Sequence, residues 1–349
     1  MLCPLVSILI PAYNADEWIA DSIRSALAQT WKQKEIIVVN DGSTDRTLAI
    51  ARKFESESVR VVTQENQGAA TARNRALQLS QGEYIQYLDA DDLLAPDKIE
   101  RQFAALRESD SKRILLSSPW APFYYRTRLA RWVESSLWQD LSPVEWLLSK
   151  MGKNLYMQPA TWLTSRELTE AAGQWDTRLL SDDDGEYFCR VLLQSEGTRF
   201  VPEARVFYRI TRTNRLSHIG SSDHKKDAML ISIKLHIRYL RSLEDSERVR
   251  RACLTYMRNW YHYFYPERPD LVAELQSLAA QLGGHLEPPC IRWKYAWMKP
   301  LFGWKAAKWA QATLPYAKIF FARHWDNVMY KLERGKATVN HPACAPGVR

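Results

Sequence analysis

Cysteine is scarce and scattered. The 349 residues hold five (Cys3, Cys189, Cys253, Cys290 and Cys344), an odd number, widely spaced and with no CxxC pair. That usage argues against a disulfide framework or a zinc knuckle and makes a reducing cytoplasm the expected compartment. No run of about 18 apolar residues occurs, which rules out a conventional transmembrane helix. The opening Met1-Leu2-Cys3-Pro4 has no basic region and leads into only a short apolar run to Ile10, so a signal peptide is not expected and the run reads as a first buried strand. The composition is close to ordinary globular usage, 46% hydrophobic and 25% charged with a mean hydropathy of −0.39, which disfavours disorder, collagen and coiled coil. The length fits two domains, or one large domain with an appendage.

Charge is present but uneven. The chain carries a formal +8, yet residues 1–110 hold 12 basic and 17 acidic side chains, and residues 281–349 hold 11 basic and 3 acidic ones. The excess therefore lies in a C-terminal tail behind an acidic N-terminal part. A uniformly basic nucleic-acid binder is not built this way, and nucleic acid is not expected as a partner.

Across the first 110 residues two periods alternate. Apolar runs at 6–10, 35–39, 59–62 and 84–88 read as strands. Helical spacing follows each of them: residues 16–28 with Asp16 as N-cap, a helix from Thr44 or Asp45 to about Phe54, 69–79, and a helix opened by Pro96. A β-α-β-α series with continuous apolar strands implies a parallel sheet covered on both faces. Ligands of such sheets bind beyond the carboxyl ends of the strands. The segments there are Pro11-Ala12-Tyr13-Asn14, Asp41-Gly42-Ser43, Gln64 to Gly68, and Asp89-Ala90-Asp91-Asp92, which together suit one crevice.

Three of these segments, and one further along, carry chemistry. Carboxylates crowded at Asp89, Asp91 and Asp92 repel one another unless a cation or strong donors neutralise them. Hard divalent ions such as Mg²⁺ or Mn²⁺ take one or two carboxylates together with substrate phosphates; the alternative is a helix cap. Asp41-Gly42-Ser43-Thr44-Asp45 is either a capped turn or a carboxylate set to accept from a ligand N–H, such as the imide of a uracil. Small residues from Gly68 open a helix whose N–H groups, with Arg73, can face an anion; alternatively Arg73 pairs with a neighbouring acid. Further on, Ser181-Asp182-Asp183-Asp184-Gly185-Glu186 leads into another helix, and Val201 to Arg209 reads as two short extended stretches.

In this order the segments resemble the inverting family-2 glycosyltransferases. The resemblance rests on Val6 to Asn14, Asp41 to Asp45, Glu65-Asn66-Gln67-Gly68 with Ala72-Arg73-Asn74, and Gly82 to Asp92. It is dense over about residues 5–110 and thins to about 215. It implies an α/β fold: a GT-A-like three-layer sandwich around a mostly parallel sheet, followed by a helical C-terminal region. It also implies a nucleotide-sugar donor, UDP favoured, and Mn²⁺ or Mg²⁺ as cofactor. By the same resemblance Pro11, Ala12 and Tyr13 form the base-binding turn, Asp41 is the base-reading carboxylate and Arg73 a donor-side arginine. Asp89-Ala90-Asp91 matches the DxD motif, Asp89 near the ribose and Asp91 on the metal. Such a metal stabilises the departing nucleoside diphosphate. The inverting base, which takes the acceptor hydroxyl proton, falls on Asp184. The family's preceding Glu is Asp183 here, and the additional Asp182 leaves the register open by one residue. The alternative is an acidic first helical turn.

The organisation expected is a catalytic domain over 1–215 (nucleotide half 1–110, acceptor half 111–215), a helical region over 216–290, basic Trp-rich amphipathic helices over 291–335 broken at Pro300 and Pro315, and a disordered 336–349. Arg209, Arg212 and Arg215, with His218, read either as a mobile flap over the donor diphosphate or as a solvated basic loop. In the tail, Trp293, Trp297, Leu301 and Trp304 form one stripe, and Phe321, Trp325, Val328 and Leu332 another. Lys294, Lys305, Lys308, Lys318, Arg323 and Lys331 lie among them. These stripes either lie on an anionic membrane surface, with a sugar or lipid-linked acceptor and peripheral attachment to the inner face, or dock onto the catalytic domain.

Processive family members carry a Gln-x-x-Arg-Trp motif. Arg131-Trp132 and Arg292-Trp293 lack its Gln, so transfer of a single sugar is expected, in cell-surface polysaccharide or glycolipid synthesis. A nucleotidyltransferase would open with a Gly-rich loop where Pro11-Ala12-Tyr13-Asn14 stands, and intact acids at Asp41, Asp89, Asp91 and Asp184 weigh against a non-catalytic binding module.

Overall fold

The structure is a computed structural model and describes residues 3–106, 111–211 and 222–339. In chain order the first elements are β1 (Val6–Ala12), α1 (Ile19–Leu27), β2 (Lys34–Asp41), α2 (Thr47–Ala51), β3 (Val59–Gln64), α3 (Ala69–Leu79), β4 (Tyr84–Tyr87), β5 (Leu93–Leu94) and α4 (Lys98–Leu106). There follow β6 (Ile114–Ser117), β7 (Trp120–Phe123), α5 (Pro143–Lys153), β8 (Thr164–Ser165), α6 (Arg166–Ala172), α7 (Asp183–Gln194), β9 (Gly197–Phe200) and β10 (Val206–Arg209). The chain then turns helical: α8 (Asp223–Leu243), α9 (Glu247–Tyr261), α10 (Pro269–Gln281), α11 (Trp293–Ala296) and α12 (Met298–Val339).

The main sheet has the order β3-β2-β1-β4-β8, parallel throughout except for the short antiparallel β8 at its edge. Side chains on a strand alternate between faces, and this sorts the core. Val6, Ile8, Ile10, Ile36 and Val38 pack with Ile19, Ile23 and Ile99 of α1 and α4 on one face. Leu9, Ile37 and Val39 pack with α3, α6 and α7 on the other. The result is the three-layer α/β sandwich with a mostly parallel sheet and a helical C-terminal region that the sequence implied.

Boundaries differ in instructive ways. Asp16 does not cap α1: the N–H groups of Trp18 and Ile19 both turn back to the Ala15 carbonyl, and the helix begins at Ile19. The backbone of Asp16 is instead tied to Asp45. Gly82, at the tight entry to β4, has no room for a side chain, because a Cβ would stand 2.5 Å from the Ser7 backbone nitrogen.

The helical region does not form a compact body of its own. Two units are compact: residues 1–121 with 132–288, and residues 122–131 with 289–349. Helices α8 to α10 share the core beneath α7, to which they contribute Ile233, Ile237, Leu240, Tyr256 and Leu275. The second unit takes in a short segment from mid-sequence. There the buried Asp326 of α12 accepts the Tyr125 and Arg126 N–H groups at 2.9 and 3.3 Å and pairs with the Arg126 guanidinium at 2.6 Å. Pro300 and Pro315 do not break this unit's helices. Pro300 lies in the first turn of α12, where a missing N–H costs nothing, and the helix runs on past position 315; the interruption is at Gly303, whose φ of 79° suits glycine. Helix α12 also continues through residues 336–339, part of the stretch expected to be disordered; residues 340–349 lie outside the described residues.

Candidate active site

The carboxyl ends of β1 to β4 open on one side of the sheet, and the loops there are stitched together. The Asn14 N–H donates to Ser43 Oγ and the Thr44 N–H to Asn14 Oδ1, at 3.0 and 2.8 Å. The Ala15 N–H donates to Thr47 Oγ1 at 2.7 Å. These bonds hold Asn14 at a φ of 47° and leave the Tyr13 ring 52% exposed beyond β1, while Pro11 and Ala12 are buried in the strand.

Asp41 ends β2 and is buried. Its Oδ1 accepts from Gln64 Nε2 and the Gln67 N–H at 2.8 and 3.0 Å, and its Oδ2 accepts from the Gly68 N–H at 2.8 Å. The carboxylate thus shapes the loop that leads into α3. Gly42 is required beside it, since its φ is +68° and a Cβ would meet the Asn66 nitrogen at 2.7 Å.

Arg73, on α3, is the bridge of the site. One guanidinium nitrogen donates to Asp89 at 2.8 Å and the other to Asp183 at 2.7 Å, and the group lies 4.4 Å over the Trp175 ring. It is buried, and the two acids hold its proton more firmly than in water despite that burial. Trp175 is fixed in turn by Asn74, which exchanges two hydrogen bonds with its backbone, and by the stacked Tyr187 ring at 4.1 Å. One arginine therefore brings together the acids after β4 and those at the start of α7, 94 positions apart in sequence.

The three consecutive acids before Gly185 go to three places. Asp182 precedes α7 in the left-handed region (φ 55°) and turns toward the helical layer, where Ser232 Oγ donates to it at 2.5 Å and Tyr256 at 3.4 Å. Gly185 leaves room for the Asp182 carboxylate, which a Cβ there would displace. Asp183 goes to Arg73. Asp184 accepts only the N–H of Gly185 among the hydrogen bonds of the described residues, and it lines a narrow cleft with Asp182, Lys150, Trp146 and Trp162. Burial, then the negative charges of Asp183 and Asp182, push the Asp184 carboxyl up to about 7, while Arg73 and Lys150 pull the other way. Glu186 and Arg190, further along α7, close on each other at 2.7 Å, and Tyr239 donates to Glu186 at 2.6 Å, so they brace the helix.

After β4, Ala90 and Asp92 are buried and Asp89 and Asp91 half-buried. Asp92 Oδ1 accepts the Arg209 N–H at 2.8 Å, and Arg209 Nε donates to the Asp91 carbonyl at 2.8 Å. Burial and the neighbouring Asp91 and Asp89 drive the Asp92 carboxyl well above its usual range. Arg209 is itself buried, 4.3 Å over the Trp18 ring, so it clamps the acidic loop and is neither flap nor solvated surface. Nothing in the sequence around Arg209 marks this, because its partners are remote. Arg212, Arg215 and His218 lie outside the described residues.

Among the described residues, no three of His, Cys, Asp and Glu gather to hold a metal unaided. The oxygen donors of Asp89 and Asp91 fit a hard divalent ion of the kind that takes one or two carboxylates and completes its shell from a substrate's phosphates.

Residues 7–169 match the model of glycosyl transferase family 2. TuaG of Bacillus subtilis, a glycosyltransferase whose name assigns it to teichuronic acid biosynthesis, is 44% identical over 108 residues, 30% of this chain and 43% of its own length. The chain spans less than half the length of the curated relatives it matches first. Among solved structures, Staphylococcus aureus TarS in complex with UDP-GlcNAc superposes with a TM-score of 0.63 at 17% identity, over 80% of this chain and 81% of that one. The mannosyltransferase PcManGT of Pyrobaculum calidifontis, in complex with GDP-Man and Mn²⁺, gives 0.54 at 18% identity, over 93% and 88%.

Proposed function

The chain carries a family-2 glycosyltransferase domain of the GT-A type, and we propose that it transfers a single sugar, with inversion, from a nucleoside diphosphate sugar to a hydroxyl acceptor in polysaccharide or glycolipid synthesis. The observation that carries this reading is the Arg73 bridge: it makes one site of the strand-end acids and the α7 acids, with Asp184 facing the adjoining cleft. The donor lies across the carboxyl ends of β1 to β4. The exposed ring of Tyr13 offers a stacking face for the base at the end of the Pro11-Ala12 strand, and Asp41 presents the Gln67 and Gly68 loop to it. UDP is the favoured nucleotide.

Asp89 and Asp91 would hold Mg²⁺ or Mn²⁺ together with the diphosphate; the ion would neutralise charge building on the leaving group. Arg73 holds Asp89 and Asp183 aligned. Asp184 takes the proton of the acceptor hydroxyl as that oxygen attacks the anomeric carbon from the face opposite the leaving group. A carboxyl held near 7 is well matched to that task at neutral pH.

The test is a comparison of wild type with Asp184→Asn. Thermal shifts with UDP-, GDP-, dTDP- and CDP-sugars, with and without Mn²⁺, report donor binding. Asp184→Asn should keep its donor shift and lose transfer to added acceptor by at least about 100-fold. Transfer at the wild-type rate would move the base elsewhere, and the absence of any nucleotide-dependent shift would remove the donor site itself.

The second unit supports a location as well. Its aromatic side chains stand in water: Trp293 is 81% exposed, and Trp297, Phe302, Trp309, Phe321 and Trp325 are all exposed beside the exposed cations Arg292, Lys294, Lys299 and Lys331. No helix among the described residues is long and apolar enough to cross a membrane. Interfacial tryptophans among cations suit the surface of an anionic bilayer, so the enzyme works as a peripheral protein on the cytoplasmic face and takes a lipid-linked acceptor.

A further inference from the structure

Lys150 sits on a face of α5 that is otherwise apolar, between Trp146 and Leu147 on one side and Met151 on the other, and it is 3% exposed. A lysine so enclosed normally finds a carboxylate. Among the described residues its ammonium group has no hydrogen bond and no ion pair within 4 Å. It lines the cleft that holds Asp184, beside the buried rings of Trp146, Trp162 and Phe188 and the exposed ring of Tyr156. The neighbouring acids do not consume it: Asp182 is turned to Ser232 and Tyr256, and Asp183 to Arg73.

We propose that this cleft is the acceptor subsite and that Lys150 selects an acceptor bearing an anionic group, a sugar or polyol that carries a carboxylate or a phosphate. The assignment rests on the glycosyltransferase reading above. The exposed Tyr156 ring at the cleft offers a face to the apolar side of a sugar ring. One hydroxyl reaches Asp184, and the anion reaches the Lys150 ammonium in a charge-assisted contact. Without Lys150 an anionic acceptor would meet only the acids Asp184 and Asp182 among the charged groups that line the cleft, so the lysine both attracts the acceptor and offsets that repulsion.

Methyl β-D-glucuronide, glucose 6-phosphate and the neutral methyl β-D-glucoside serve as probes, their binding to the full-length protein measured by ligand-observed NMR. Wild type should prefer at least one anionic probe to the glucoside by about tenfold. Preference for the glucuronide identifies a carboxylate as the natural group, and preference for the sugar phosphate a phosphate. Lys150→Met should abolish the preference and Lys150→Arg should keep it. Equal binding of charged and neutral probes, preference that survives in Lys150→Met, or no binding of any probe at millimolar concentration overturns the proposal. Thermal shift with UDP-sugars on the same proteins separates the two readings and checks that the variant is folded: nucleotide binding without anion preference refutes the acceptor assignment alone, whereas wild type that binds no nucleotide refutes the glycosyltransferase reading beneath it.

Discussion

Three adjacent aspartates show how far a residue's role departs from its type. Asp182, Asp183 and Asp184 differ by one step each, yet one braces α8 and α9, one locks Arg73 and one faces a cleft. The charge of Asp184 is penalised by burial and by its neighbours, so it must lose its proton near pH 7 to act as base. The rate of transfer at low acceptor concentration should therefore rise through about pH 7 and flatten above it, as a pH profile of kcat/KM would record. The same shift has a stability consequence of definite sign. A carboxyl whose folded pKa is raised stabilises the fold at low pH, and that contribution is lost as pH rises from the ordinary carboxylate range through about 7. Asp184→Asn should accordingly have a higher Tm than wild type at pH 8, with the difference shrinking toward pH 4. Arg73→Lys should lose most activity, because a single ammonium cannot reproduce the fork that reaches Asp89 and Asp183 at once; a transfer assay with the thermal-shift control decides this.

At the scale of elements, the parts of the site legible in advance are those in which motif and element coincide. The four strand ends were readable because continuous apolar runs stop at polar turns, and Asp41, Arg73, Asp89 and Asp91 lie at or just beyond those stops. Asp184 was readable as one of three candidates, and only the left-handed turn at Asp182, with Gly185 leaving space for its carboxylate, separates them. Arg209 and Lys150 were not readable in these roles, since each depends on what packs beside it and carries no local pattern. Strand β4 illustrates the same dependence. Ser7 Oγ and Glu35 both receive the Gly82 N–H, at 2.8 and 3.1 Å, and no Cβ fits there. Gly82→Ala should destabilise the fold by about 1–3 kcal/mol, as urea unfolding would measure, through overpacking at the entry to the strand that leads to Asp89 and Asp91.

For the whole molecule, the unexpected feature is that residues 122–131 belong with the C-terminal helices. Asp326 and Glu333 of α12 bind Arg126, and Glu333 also binds Arg128. These ties engage one face of α12, while Phe321, Trp325, Val328 and Leu332 remain exposed. The protein should bind vesicles that contain phosphatidylglycerol and leave them as salt rises, with little affinity for neutral phosphatidylcholine vesicles. Replacing Trp297, Phe321 and Trp325 together by serine should abolish that binding in a co-sedimentation assay while nucleotide-induced thermal shifts persist. Retention of vesicle binding by this variant would remove the membrane role from these side chains.

The alternation of strand and helix, the layers of the sandwich and the strand-end acids follow from sequence alone, because hydrophobic periodicity and turn residues act over a few positions and need no distant partner. The separate surroundings of the three acids 182–184, the pairing of residues 122–131 with the C-terminal helices, the clamp at Arg209 and the unpaired Lys150 were decided by tertiary structure. Burial and electrostatic pairing are properties of neighbours in space, and here those neighbours are brought together from segments tens to hundreds of residues apart.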